Sequence, residues 1–267
     1  ILKERLAQQG ISSRFTKKNS FARENIWVLE IPVLQLSRFH FIVQLLERLT
    51  NYANEINNAD LKLEEYYFFE KKLFPLAKVE FDVIGDKIRY IRATDEAEDI
   101  HYPIPNFSYC RMQAKTKNNL HKGMDTKLEA LQCNNAKFSG DERSILAQFK
   151  ELFEQIDPDI LWVENGNLVI PYLKKKCYEH DIPFQFNRFE DDDFKFEKGT
   201  YYHSYSKFVF RTASIFLKGR LHFDIRSFFA NDTGLHGILD GSRVCRQRIQ
   251  RTEMRSAGAA VTMYLLY

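Results

Sequence analysis

The chain has 267 residues, 44% of them hydrophobic and 28% charged, which is room for one large domain or two modest ones. Lys+Arg 39 against Asp+Glu 36 leaves a formal net charge of +3, too small to imply a nucleic-acid partner, so any such partner must be met by local patches. No apolar run approaches the ~18 residues of a membrane-spanning helix, so membrane-protein classes are not expected.

The chain begins inside an apparently helical stretch from Ile1 to Leu6. Residues 26–31 are β-rich and end at Pro32. From Leu34 to Leu49 the apolar residues recur at three-and-four spacing, which predicts an amphipathic helix. Asn58-Ala59-Asp60 reads as a cap before a second helix, Leu61 to Lys72. Segments 79–83 and 87–91 alternate around Gly85-Asp86, the pattern of a β-hairpin. Pro103 and Pro105 suggest a boundary near residue 105. Beyond it an α/β pattern predicts strands at 107–114 and 126–133. Ser139 and Glu142 have capping-box spacing for a helix over 141–156. Asp157-Pro158-Asp159 ends that helix, 160–163 is a short buried strand, and a helix follows from about Leu168 to His180. After an acidic loop, 201–210 and 213–224 read as paired strands, and from Gly237 the chain reads as a basic helical region. It stops at Tyr267 without a cap; both ends look cut, so a fragment of a longer protein is expected.

The four cysteines, Cys110, Cys133, Cys177 and Cys245, include no CxxC pair, so zinc is not expected and a reduced intracellular setting fits best. The seven histidines are scattered without ligand spacing, and no serine or cysteine sits in a nucleophile elbow. Asp191-Asp192-Asp193, beside Glu190 and Glu197, is the obvious acidic cluster. Consecutive acids alternate faces on a strand or fan around a helix, so a solvated loop is the simpler reading.

Three separated segments together resemble family B DNA polymerases. Asn58-Ala59-Asp60, Tyr66-Tyr67 and Leu73-Phe74-Pro75-Leu76-Ala77 are similar to the N-terminal domain of archaeal-type members. The run from Asp157-Pro158-Asp159-Ile160 through Asn165-Gly166 to Pro171-Tyr172-Leu173-Lys174-Lys175 is similar to the approach to the second exonuclease motif. Gly219-Arg220-Leu221-His222-Phe223-Asp224 resembles the strand after it. Ser242-Arg243, Gln247-Arg248 and Arg251-Thr252 resemble the helix that joins exonuclease to palm. The resemblance implies an α/β fold: a ribonuclease-H-like 3′–5′ exonuclease-type domain over 105–236, an α+β N-terminal domain over 1–104, and a basic helical linker over 237–267 toward a palm domain beyond Tyr267.

The acids that such a nuclease uses are absent. The first motif, an Asp-x-Glu, falls on Gln113 and Lys115, and the Asp of the second falls on Val169. The third, a Tyr and an Asp on one helix, should lie between Ile225 and Gly241, where only Asp232 and Asp240 remain without a fitting Tyr, and a deleted helix is expected. The pattern resembles the inactivated archaeal paralogue. A nucleoid-associated cytoplasmic DNA-binding fragment acting in replication or repair is therefore expected, with DNA, the remaining polymerase domains and other replication proteins as partners. Candidate DNA contacts are Lys115, Lys117 and Lys122, in one basic strip with Arg111, and Arg243, Arg248, Arg251 and Arg255, of which the last three would line one face of a helix. Two rivals stand beside this reading. One is a live exonuclease using Mg or Mn on the displaced acids Asp141, Glu164, Asp191 and Asp224. The other is a protein-interaction scaffold, which an exposed apolar patch would favour.

Overall fold

The computed structural model describes the chain apart from residues 19–23, 52, 55, 57–62, 190–193, 205–206, 212 and 254–267. Asn58-Ala59-Asp60, the acidic cluster Glu190 to Asp193, and Arg255 therefore lie outside the described residues. The chain divides into two compact units between Leu73 and Phe74.

In the first unit, helix α1 (Leu2–Gln8) buries Leu6 completely, and strands β1 (Arg14–Lys18) and β2 (Ile26–Glu30) pair antiparallel. Helix α2 (Phe39–Leu49) is shorter than its apolar pattern, because the chain enters it through a 3-10 turn at Leu36–Arg38. Its Ile42 and Leu46, one turn apart, close a small core with Leu6 and Ile11. Helix α3 (Leu63–Lys71) follows.

The second unit opens on the expected hairpin, β3 (Val79–Ile84) and β4 (Lys87–Ala93), where Gly85 takes the left-handed φ of +60° that a tight turn needs. Strands β5 (Tyr109–Thr116), β6 (Leu128–Cys133) and β7 (Ala136–Ser139) form an antiparallel meander. Helix α4 (Glu142–Ile156) then returns the chain so that β8 (Ile160–Val163) runs parallel to β5. Helix α5 (Gly166–Glu179) leads to the short strands β9 (Lys195–Glu197), β10 (Thr200–Ser204), β11 (Lys207–Arg211) and β12 (Ser214–Phe216). Strand β13 (Leu221–Asp224) is parallel to β8, and helices α6 (Phe228–Asp232), α7 (Gly234–Val244) and α8 (Ile249–Glu253) end the described chain. The resulting mixed sheet has the order β13-β8-β5-β6-β7.

Strand alternation assigns the two faces of this sheet. Cys110, Met112, Leu131, Leu161 and Val163 point to the face packed by α4 and α5, whose Ile145, Leu146, Phe149, Val169, Ile170 and Leu173 complete the main core. On the opposite face, Ile160, Trp162, Leu221 and Phe223 of β8 and β13 are covered by Leu235, Ile238 and Ile249 of the C-terminal helices. Over β5, β6 and β7 that same face is bare: Tyr109, Arg111, Gln113, Lys115, Gln132 and Lys137 are exposed.

Several expectations are corrected. Ser139 does not cap α4: Gly140 turns the chain at φ +130°, and Asp141 is the N-cap, accepting the Ser144 N–H at 2.9 Å. Glu142 does not reach back either, because its carboxylate accepts the Leu128 N–H at 2.6 Å. Segment 213–224 is not one strand paired with 201–210. It breaks at Gly219 (φ +77°), so β12 pairs with β9, β13 joins the main sheet, and β10 pairs with β11. The stretch 225–241, read as having lost a helix, holds α6 and most of α7. The sheet register also brings the buried side chains of Cys110 and Cys133 together across β5 and β6, Cα atoms 6.0 Å apart.

Candidate functional site

The parallel strands β5, β8 and β13 end at one rim, and open α/β sheets place ligand sites outside such carboxyl ends. Gln113 comes from β5, Glu164 follows β8, Asp224 closes β13 and Arg226 lies just beyond. Gln113 Nε2 donates to Glu164 Oε2 at 3.2 Å, while the Arg226 guanidinium holds Glu164 Oε1 in an ion pair. Asp224 Oδ1 accepts the backbone N–H groups of Arg226 (3.0 Å) and Asn165 (3.3 Å). Asp224, Arg226, Ser227, His222, Asn167 and Ser214 line a cavity of about 190 Å³ beside the start of α5.

His222 is packed against that helix start, where a Cβ on Gly166 would come within 1.9 Å of Nε2; a glycine is therefore required for the approach. Burial pushes the His222 imidazole down to about 4, against a hydrogen bond to the Ile215 carbonyl and the charge of Asp224. The ring is therefore neutral at pH 7.

The motif residues prove to be internal joints. Asp159 accepts the Ser108 N–H at 2.9 Å and ion-pairs with Arg188, contacts that hold its carboxyl below the usual range. Arg220 pairs with Asp157 at 2.8 Å and donates to the Phe186 carbonyl at 3.0 Å, so the Asp-Pro-Asp and Gly-Arg segments lock the entries of β8 and β13 together. Tyr172 donates to the Thr126 carbonyl at 3.0 Å inside the core.

Two of the predicted DNA contacts are corrected by the same observation. Arg243 is 0% exposed: it pairs with Asp95 at 3.0 Å, donates to the carbonyls of Leu76 and Glu96, and stacks on Tyr102 and Phe74. Arg251, 4% exposed, pairs with Glu197 at 2.9 Å over Phe216. Nor do Arg248 and Arg251 share a helical stripe, because Arg246 breaks the helix at φ +50° and Arg248, exposed, precedes α8. Lys115, Lys117 and Lys122 are exposed, and Lys115 is 3.3 Å from Glu129. Arg255 and Asp191 lie outside the described residues, and Asp141 is committed to capping α4.

Among the described residues the rim is a poor fit for a divalent metal. Hard cations need several carboxylate oxygens, yet Gln113 and Lys115 occupy β5, Val169 is 3% exposed within the apolar core, Glu164 is neutralised by Arg226, and Asp224 is engaged by backbone N–H groups. Among the described residues no three His, Cys, Asp or Glu side chains are grouped to hold an ion. No helix among them is long and apolar enough to cross a membrane.

No protein-family model matches the chain, and no curated protein matches it. Among solved structures it is similar to a family B DNA polymerase from the hyperthermophilic archaeon Pyrobaculum calidifontis, with a TM-score of 0.54 and 12% identity. The match covers 95% of this chain and 41% of that one, so the chain spans less than half the polymerase's length. At this identity the likeness is one of fold, a mixed α/β architecture related to that polymerase.

Proposed function

We propose that the chain is a polymerase-related fragment whose ribonuclease-H-like domain holds DNA without cutting it. The meander, the two parallel additions and the order β13-β8-β5-β6-β7 support the ribonuclease-H-like assignment. The observation that supports the loss of cleavage is the Arg226 guanidinium on Glu164: a cation carried by the chain itself stands at the rim where a nuclease of this architecture would use metal ions. Exposed Arg111, Lys115, Lys117, Lys122 and Arg248 supply positive charge for phosphate contacts, which position a strand without reading its sequence. The division into 1–104, 105–236 and 237–267 is kept as a proposal about descent rather than compactness. The remaining polymerase domains and other replication proteins are the proposed protein partners, and the inactivated archaeal paralogue the proposed kin.

The test is incubation with a 3′-labelled single-stranded oligonucleotide, with Mg²⁺ or Mn²⁺, following length and fluorescence anisotropy together. An intact oligonucleotide whose binding weakens with salt is expected. Metal-dependent shortening that Asp224→Ala abolishes would overturn the proposal in favour of an exonuclease.

A further inference from the structure

The exposed half of that sheet face carries a groove that shares Gln113 with the rim. Tyr109, Arg111, Gln113, Gln132, Asn134 and Asn135 line an open depression of about 500 Å³ running toward the start of β5, within the size range of small-ligand sites. None of these six residues is acidic. Its floor is built rather than incidental. Asn134, in the left-handed conformation at the β6–β7 turn (φ +51°), accepts the Arg111 N–H at 2.8 Å and donates to the Tyr109 carbonyl at 3.2 Å. Gln132 in turn donates to the Asn134 carbonyl at 3.1 Å. These bonds fix the backbone beneath Tyr109 and Arg111 and leave the Tyr109 side chain projecting, with the residue 60% exposed.

We infer that this groove is a binding site for a single-stranded DNA segment, one base stacked on Tyr109 and the adjoining phosphate on Arg111. A flat aromatic face beside a cation, with carboxamides around them and no carboxylate, matches the chemistry of a nucleotide: a π-surface, an anion, and polar base edges. An acidic peptide would use the cation but leave the aromatic face idle, and a lipid surface would meet a concave, polar wall. The inference rests on the DNA-holding reading above and gives it a location, displaced along β5 from the rim of Glu164 and Arg226.

The experiment is a salt titration of an oligodeoxythymidine by fluorescence anisotropy, with melting curves confirming that each variant is folded. Tyr109→Ala should weaken binding about tenfold while Tyr109→Phe leaves it unchanged, since the ring and not the hydroxyl does the stacking. Arg111→Ala should reduce the salt dependence by about one phosphate contact. Lys117→Ala and Lys122→Ala should change affinity less than Tyr109→Ala. If the unaltered chain binds but Tyr109→Ala and Arg111→Ala bind as well as it does, the groove is not the site and the DNA-holding reading survives. If the unaltered chain does not bind at all, both are overturned.

Discussion

One face of the central sheet is divided into two halves that treat positive charge in opposite ways. Over β8 and β13 the C-terminal helices press an apolar layer onto the strands and carry Arg243 and Arg251 inside, each against a carboxylate and an aromatic ring. Over β5, β6 and β7 no helix among the described residues is laid down, and Arg111, Lys115 and Lys137 are exposed. A buried charge costs several kcal/mol to desolvate, and the carboxylates and carbonyls that the two guanidinium groups meet offset that cost and fix the first set in place. The second set makes little difference to folding and remains available to a ligand. Two groups of basic residues on one sheet face thus have different roles, stability on one side and, as proposed, binding on the other.

The contrast can be broken most sharply at Arg243. Arg243→Ala should destabilise the protein by about 3–5 kcal/mol in denaturant titration, since it strands Asp95 and two carbonyls. If the loss is below about 1 kcal/mol, the pair is no more important than a surface one. Next in size is Gly166→Ala, which drives a methyl group into the His222 ring and should cost about 1–3 kcal/mol by the same measurement.

The third prediction concerns pH. His222 is neutral in the folded chain down to about pH 4, whereas an unfolded histidine takes up a proton near 6.5. The unfolded state therefore binds the extra proton between these values. His222's contribution is complete above about pH 6.5 and is lost as the pH falls toward 4, roughly 2 kcal/mol of it between pH 7 and pH 5. Replacement by Gln should flatten that segment of the stability profile; an unchanged slope would mean that other groups produce it. Smallest of all is Lys115→Ala. Its partner Glu129 is also exposed, so stability in denaturant titration should move by less than about 1 kcal/mol while oligonucleotide binding by anisotropy weakens.

The sequence made the elements more legible than their partnerships. The spacing of Ile42, Leu46 and Leu49 marks α2, and the alternation around Gly85 marks the hairpin, because each rests on neighbours along the chain. Strand β7 was missed since four residues behind Asn134-Asn135 leave too short a pattern, and the Gly219 turn that splits 213–224 looks like any other glycine. Of the rim, the sequence reading named Gln113, Glu164 and Asp224 but not their partner: Arg226 reaches Glu164 across 62 positions of sequence, a proximity that only the parallel pairing of β8 with β13 creates. Buried arginines mislead for a related reason, as Arg243 becomes an interior residue only once Asp95, Tyr102 and Phe74 surround it.

Arg226 has a consequence beyond the rim it occupies. A metal ion is a visitor whose occupancy follows its concentration, and a chelator can strip it, so a site that depends on one inherits a mass-action dependence on the medium. A guanidinium attached two residues past Asp224 is never at infinite dilution and cannot be dialysed away. The charge balance at Glu164 is thus written into the covalent chain, and EDTA should leave the melting temperature of this domain where it was.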